Sequence, residues 1–254
     1  MELEYYSNCC DAPPIGELDY KEEYDAEPIG MCMSCRDGAV FQIGKLENII
    51  KLDIVVVGAG PAGLAFACGF ANTKIKVAII DKLSKETLAN PKIDGREIAL
   101  THHSVKILKE LGVWKYIPSK TISVIKEARV LDGSSTYFLD FDYREIQKEC
   151  LGYLIPNHLI KKNLYKRLKN ISNVKLIDKA ECLSIEANKK CSSILLSNGK
   201  KIKASLVVAA DSRFSKTRSK MGISTFIRDF DKNMIVCRMK HEKPHDNIAY
   251  EFIR

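Results

Sequence analysis

Apolar and polar positions change period several times along this 254-residue chain, and each change predicts an element. The segment Lys51-Leu-Asp-Ile-Val-Val-Val57 ends in a run of branched apolar residues, the pattern of a parallel strand covered on both faces. A glycine-rich stretch follows, Gly58-Ala59-Gly60-Pro61-Ala62-Gly63, and then an apolar-rich helix through Leu64–Ala71. A second strand over Ile75–Ile80 closes on Asp81. Further along, a helix is expected over His103–Leu111. A strand over Ala204–Ala210 ends at Asp211, and strand character returns at Phe252. Strand, loop, helix and strand in that order make a βαβ unit.

The chain is 46% hydrophobic and 28% charged, enough to bury a real core. No stretch approaches the roughly 18 to 20 apolar residues of a membrane-spanning helix. Met1-Glu2-Leu3-Glu4 lacks the basic and apolar regions of a signal peptide, so a cytoplasmic location is expected. Residues 1–50 hold three Lys and Arg against eleven Asp and Glu, while residues 51–254 hold 37 against 21. That contrast sets an expected boundary between a segment 1–46 and a domain 51–254. The basic part would attract an anionic cofactor or an acidic membrane surface. Nucleic acid is not expected, because Lys161-Lys162, Lys166-Arg167 and Lys200-Lys201 sit on helix faces and hairpin turns without an aromatic platform.

Each glycine of the loop has a distinct task in a dinucleotide site. Gly58 allows the tight turn, Gly60 lets the backbone approach a pyrophosphate, and Gly63 lets the helix sit close to the strand. Pro61 suits the first helical turn, and the amides at Ala62 and Gly63 would face phosphate. Asp81 stands 23 residues after Gly58, the spacing of a carboxylate that accepts from a ribose, with Lys82 beside it. The plainer reading is an ordinary glycine turn and a strand-end aspartate. The loop alone does not separate FAD from NAD, since both present ADP.

In the first fifty residues, Cys9-Cys10 and Cys32-x-x-Cys35 flank a polar, acidic loop with Pro13-Pro14 and Pro28. Two cysteine pairs on two turns can supply four thiolates to a tetrahedral Zn²⁺, giving a small zinc-ribbon-like segment. Adjacent cysteines point apart in an extended chain, so an unligated acidic extension is the alternative. Cys68, Cys150, Cys182, Cys191 and Cys237 are scattered and receive no role, and His102, His103, His241 and His245 read as surface residues.

Four segments carry a family resemblance: the glycine loop, Asp94-Gly-Arg96-Glu-Ile-Ala-Leu100, the stretch around Asn157, and Ala209-Ala-Asp211-Ser-Arg-Phe-Ser215. Together they resemble the class A FAD-dependent monooxygenases. The wording after Asp211, with Met234–His245 and Ala249–Phe252, is similar to the ubiquinone-biosynthesis hydroxylases. Ser212 departs from the resembled family, most of which has Gly there. The resemblance implies an α/β fold: a Rossmann-like FAD-binding domain with an inserted β-rich substrate domain, truncated at the C-terminus. It implies FAD held by Gly58, Gly60, Ala62, Gly63, Asp81, Lys82, Arg96, Asn157 and Asp211, with NAD(P)H as reductant, and hydroxylation of an aromatic ring. It further implies a polyprenylated phenol as substrate, with other ubiquinone-synthesis proteins or the inner-membrane surface as further contacts. Beside these readings, Arg96 could simply be solvated, and Asp211 could cap a helix with Ser212 and Ser215. The family's third motif, a Gly-Asp segment, is missing, so weak FAD binding and no unaided turnover are expected. A non-catalytic zinc-ribbon and nucleotide-binding interaction protein is the competing function.

Overall fold

The computed structural model describes residues 5–10, 12, 14–19, 29–43, 49–133, 135–188, 190–237 and 239–253. Pro13 and Pro28 lie outside them. The chain divides into two compact units, Met1–Ile50 and Lys51–Arg254.

In the first unit, β1 (Tyr5–Ser7), β2 (Pro14–Asp19), β3 (Ile29–Cys32) and β4 (Gly38–Ile43) form an antiparallel sheet in the order β1-β4-β3-β2. Its described core is small: Cys32, Ala39 and Phe41 are buried, with Cys10, Ala12, Leu18 and Cys35 packed around them.

The larger unit opens with β5 (Ile50–Val57), α1 (Pro61–Cys68) and β6 (Val77–Ile80). β5 and β6 are parallel, in register from Ile54 opposite Val77 to Val57 opposite Ile80. All eight of these facing residues are buried, which is what an unbroken apolar run requires. α1 stops short of Ala71, because Gly69 makes the helix cap and its amide reaches both Ala65 and Phe66 carbonyls. β6 starts two residues later than its apolar run. There the Lys76 amide is taken by the Asp53 carboxylate (2.6 Å) and the Ile75 carbonyl by the Asn173 amide (2.7 Å).

Next come α2 (Lys85–Ala89), β7 (Glu97–Leu100), α3 (His102–Glu110), β8 (Ser123–Ile125), β9 (Glu127–Asp132), β10 (Phe138–Asp142), β11 (Gly152–Pro156) and α4 (Asn157–Leu168). They are followed by β12 (Val174–Ile177), β13 (Cys182–Ala187), β14 (Ser192–Leu196), β15 (Lys201–Ala209), α5 (Lys216–Lys220) and β16 (Ile248–Ile253). The main sheet has six strands in the order β12-β6-β5-β15-β14-β13, with β12 and β6 parallel and the β13-β14-β15 edge antiparallel. α1 and α4 pack together in the main core, where Leu64, Leu164, Ile155 and Val56 are buried.

Two small sheets complete the unit, β7-β11-β8 and β10-β9-β16. Their strands, apart from β16, come from the chain between β6 and β12, so the β-rich part is an insertion into the nucleotide-binding fold. β16 carries Phe252 and runs parallel to β9.

Candidate functional site

The site grows from the carboxyl ends of adjacent strands. The Gly58 amide donates to the Ile80 carbonyl (2.8 Å), the Ala210 amide to Val57 (2.8 Å), and the Asp81 amide to Ile177 (3.1 Å). These bonds gather Gly58, Asp81 and Asp211 at one edge of the main sheet. Ligands of open α/β sheets bind in such crevices.

Within the loop, Gly58 has φ +110°, and a Cβ there would stand 2.4 Å from the Ala210 carbonyl oxygen. At Gly63 it would stand 2.0 Å from the Gly58 oxygen. The protein's own packing therefore requires both glycines. Gly60 is different, with an ordinary φ of −73° and nothing within 4 Å of an added Cβ. It borders open space. α1 begins there with no side-chain cap and no acid in its first turn, so the amides of Ala62 and Gly63 are left as donors facing that space. A cradle of backbone donors with room above it fits a pyrophosphate.

Asp81 is half-buried. Its carboxylate accepts from the Ala59 amide (2.6 Å) and the Leu83 amide (2.8 Å), tying the end of β6 to the loop. An ionised carboxylate has about four acceptor positions, so capacity remains for ribose hydroxyls. Lys82, next in sequence, is exposed.

Arg96 and Asn157 meet through a residue the sequence reading passed over. Asp94 accepts from Arg96 Nε (2.9 Å) and from Asn157 Nδ2 (2.8 Å), while the Asn157 amide donates to the Arg96 carbonyl (2.9 Å). Burial raises the Asp94 carboxyl, but the Asn157 and Arg96 donors outweigh it and hold the group at about 2. A signal was available. Asp-Gly-Arg is a turn sequence, and here Asp94 also accepts the Arg96 amide (3.2 Å) across Gly95 at φ +72°.

Asp211 closes the start of α5, accepting the Thr217 amide (3.0 Å) and the Ser215 hydroxyl (2.5 Å). Burial raises its carboxyl, and these two donors bring it below the usual carboxylate range. The capping alternative is thus realised beside any ribose role, with one correction. Ser215 is the N-cap, accepting from the Arg218 amide (2.9 Å), and Ser212 has no part in it among the described bonds. Ser212 instead sits at φ +84°, a conformation glycine adopts freely, at the position where most of the resembled family carries Gly.

His102 is a second correction. It is half-buried, with Nε2 2.8 Å from the Cys150 carbonyl oxygen and its ring edge-on to Tyr153. A carbonyl only accepts, so Nε2 carries the proton. His103, His241 and His245 are exposed. Cys68 is buried in the main core, which pushes its thiol up to about 11.

In the first unit, the Sγ atoms of Cys9, Cys10, Cys32 and Cys35 all lie within 4.8 Å of one another. Cys9 and Cys10 lie in the turn at residues 8–10, and the Cys32–Cys35 knuckle is closed by the Arg36 amide on the Cys32 carbonyl (2.9 Å). Burial alone would raise the Cys32 thiol. The Ser7 hydroxyl (3.2 Å) and the amides of Cys35 and Ser34 donate to its sulfur and lower it to about 6.

A family described as the FAD binding domain matches residues 51–247. The chain is 43% identical over 203 residues to the ubiquinone hydroxylase UbiM of Neisseria meningitidis, covering 78% of this chain and 44% of that protein. It is 30% identical over 199 residues to the ubiquinone hydroxylase UbiL of Rhodospirillum rubrum, covering 78% and 46%. With the 3-demethoxyubiquinol 3-hydroxylase of Escherichia coli it shares 25% over 202 residues, covering 79% and 51%. The chain thus spans about half the length of the curated relatives it matches. Among solved structures, p-nitrophenol 4-monooxygenase PnpA of Pseudomonas putida superposes with TM-score 0.58 at 18% identity, over 68% of this chain and 44% of that one. PqsL of Pseudomonas aeruginosa gives 0.59 at 14%, over 70% and 48%. These two show the fold. The glycine loop, the strand-end carboxylates and the match over residues 51–247 coincide, and the chain belongs to the FAD-binding domain family.

Proposed function

We propose that residues 51–254 hold FAD for a hydroxylation of an aromatic ring in ubiquinone biosynthesis. The observation that carries this reading is the open space over Gly60, bordered by the first-turn amides of α1 and by Asp81. The pyrophosphate would rest on Ala62 and Gly63 amides and the adenosine ribose on Asp81. Asp211 keeps acceptor capacity for the flavin-side ribityl region. Arg96 and Asn157 would approach the flavin, and Lys82 the nucleotide's solvent edge. When bound, FAD would supply the redox chemistry by which NAD(P)H and O₂ give one oxygen atom to the ring and the other to water. The chain's own residues position that cofactor and exclude water, and no side chain here is assigned acid–base or nucleophilic work.

The resemblance to ubiquinone hydroxylases supports a polyprenylated phenol as substrate. Such a molecule resides at a membrane, and the excess of positive charge in residues 51–254 favours an anionic surface. No described helix is long and apolar enough to cross a membrane, which suits a cytoplasmic protein working at the face of the inner membrane.

The test is titration of the purified chain with FAD, followed by the visible flavin spectrum and by protein fluorescence. Saturable binding with a perturbed flavin spectrum supports the proposal. A flavin spectrum and protein fluorescence that stay unchanged through the titration overturn it, and favour the non-catalytic interaction protein.

A further inference from the structure

The four cysteines of the first unit have no place in the flavin reading, and they form a site of their own. We infer that Cys9, Cys10, Cys32 and Cys35 bind one Zn²⁺ in a closed tetrahedral tetrathiolate centre whose task is to hold residues 1–50 folded.

Geometry supports this first. Zinc–sulfur bonds of about 2.3 Å place the sulfurs of a tetrahedral site about 3.8 Å apart. The four Sγ atoms already lie within 4.8 Å of one another, and Cys9 and Cys35 are at 3.5 Å. Adjacent cysteines reach one point only from a tight turn, and residues 8–10 form one. The sheet then carries that turn to the knuckle. β1 pairs with β4, β4 with β3, and the Asn8 amide donates to the Val40 carbonyl (2.9 Å), which fixes the first turn against the strand that follows the knuckle.

Folding energetics point the same way. Three buried hydrophobic residues make a described core far too small for a unit of this size, and small domains of this kind use a metal or disulfides as a staple. Cys32 belongs to that core and Cys10 and Cys35 pack directly against it, so ligation and core formation draw on the same contacts. The Ser7 hydroxyl donates to Cys32 Sγ (3.2 Å) and would stabilise a metal-bound thiolate.

Ligand chemistry selects the role. Four thiolates leave no open position for water or substrate, so the centre is structural. Zn²⁺ displaces up to four protons as the four thiols become thiolates, leaving a site of net charge −2. No electrons move. Affinity for the metal therefore rises with pH.

The full chain, purified without chelator, should contain about one zinc per molecule by atomic emission. Replacement by Co²⁺ should give the intense visible bands of tetrahedral cobalt with thiolate charge transfer. Cys35→Ser should weaken Co²⁺ binding by roughly a hundredfold or more. Cys9→Ser should do the same, and because Cys9 is exposed this variant tests the ligand set even where Cys35→Ser does not fold. Cys182→Ser, in the other unit, should bind Co²⁺ like the parent. Iron in place of zinc, absence of tetrahedral cobalt bands, or a metal-free Cys9–Cys35 disulfide in the native chain would each overturn the inference. FAD binding is read by a separate signal in the same sample, so failure here leaves the flavin reading standing.

Discussion

Ser212 shows what one residue costs when it stands in a glycine's conformation. Its φ of +84° strains any side chain with a Cβ, and no described bond compensates it. Ser212→Gly should raise stability by about 1 kcal/mol, less the extra chain entropy of glycine, seen as a higher denaturation midpoint at unchanged slope. An unchanged or lower midpoint would mean the position is relaxed. Asp94 is the residue on which two expected flavin contacts depend. Asp94→Asn keeps the shape but removes the charge that holds Arg96, and should weaken FAD binding about tenfold. Tighter binding would instead mean that Asp94 competes with the cofactor for Arg96. Because its carboxyl is held at about 2, the pairing contributes stability above about pH 4 and loses it as pH falls from about 4 toward 2. The glycine loop was legible because Gly58 and Gly63 answer local steric demands, and Asp81 because it ends an apolar strand at a set spacing from the loop. Asp94 and His102 were missed for the opposite reason. The Asp94-Gly-Arg96 turn is local and readable, but the partners Asn157 and Cys150 lie 63 and 48 residues from Asp94 and His102, and no local pattern encodes those two pairs.

Among the elements, β5 and β6 were read because burial on both faces leaves a continuous apolar run. Their limits were not, because side chains from distant segments decide them. Asn173 supplies bonds to the Phe70 carbonyl (2.9 Å) and the Ile75 carbonyl (2.7 Å), joining the end of α1 to the start of β6 from just before β12. Asn173→Ala should cost about 1–2 kcal/mol, since both carbonyls lose a partner in a half-buried place. A loss below a few tenths would mean that water replaces the amide. The small sheets were foreseen only as a β-rich insertion. Their registers, such as Tyr153 opposite Leu100, join segments that follow different periods, which the chain alone does not pair.

For the whole molecule, composition marked two parts of opposite charge, and the structure has two compact units meeting at Ile50 and Lys51. The larger one presents many apolar side chains to solvent between β15 and β16: Phe226 is 92% exposed, and Met234 and Ile235 are each 89% exposed. Exposed apolar surface of this extent binds hydrophobic dyes and promotes association. The native chain should raise the fluorescence of such a dye at neutral pH, and no rise would mean that these side chains are covered in solution.

If the pyrophosphate sits in the space over Gly60, a side chain placed there should exclude it. Gly60 has an ordinary φ and nothing near an added side chain, so Gly60→Val should leave the circular dichroism and melting temperature of the FAD-free chain unchanged. The parent should bind FAD saturably with a perturbed flavin spectrum, and Gly60→Val should lose that binding by a factor of about a hundred or more, because the valine fills the approach to the loop. Equal FAD binding by a folded Gly60→Val chain would contradict the account.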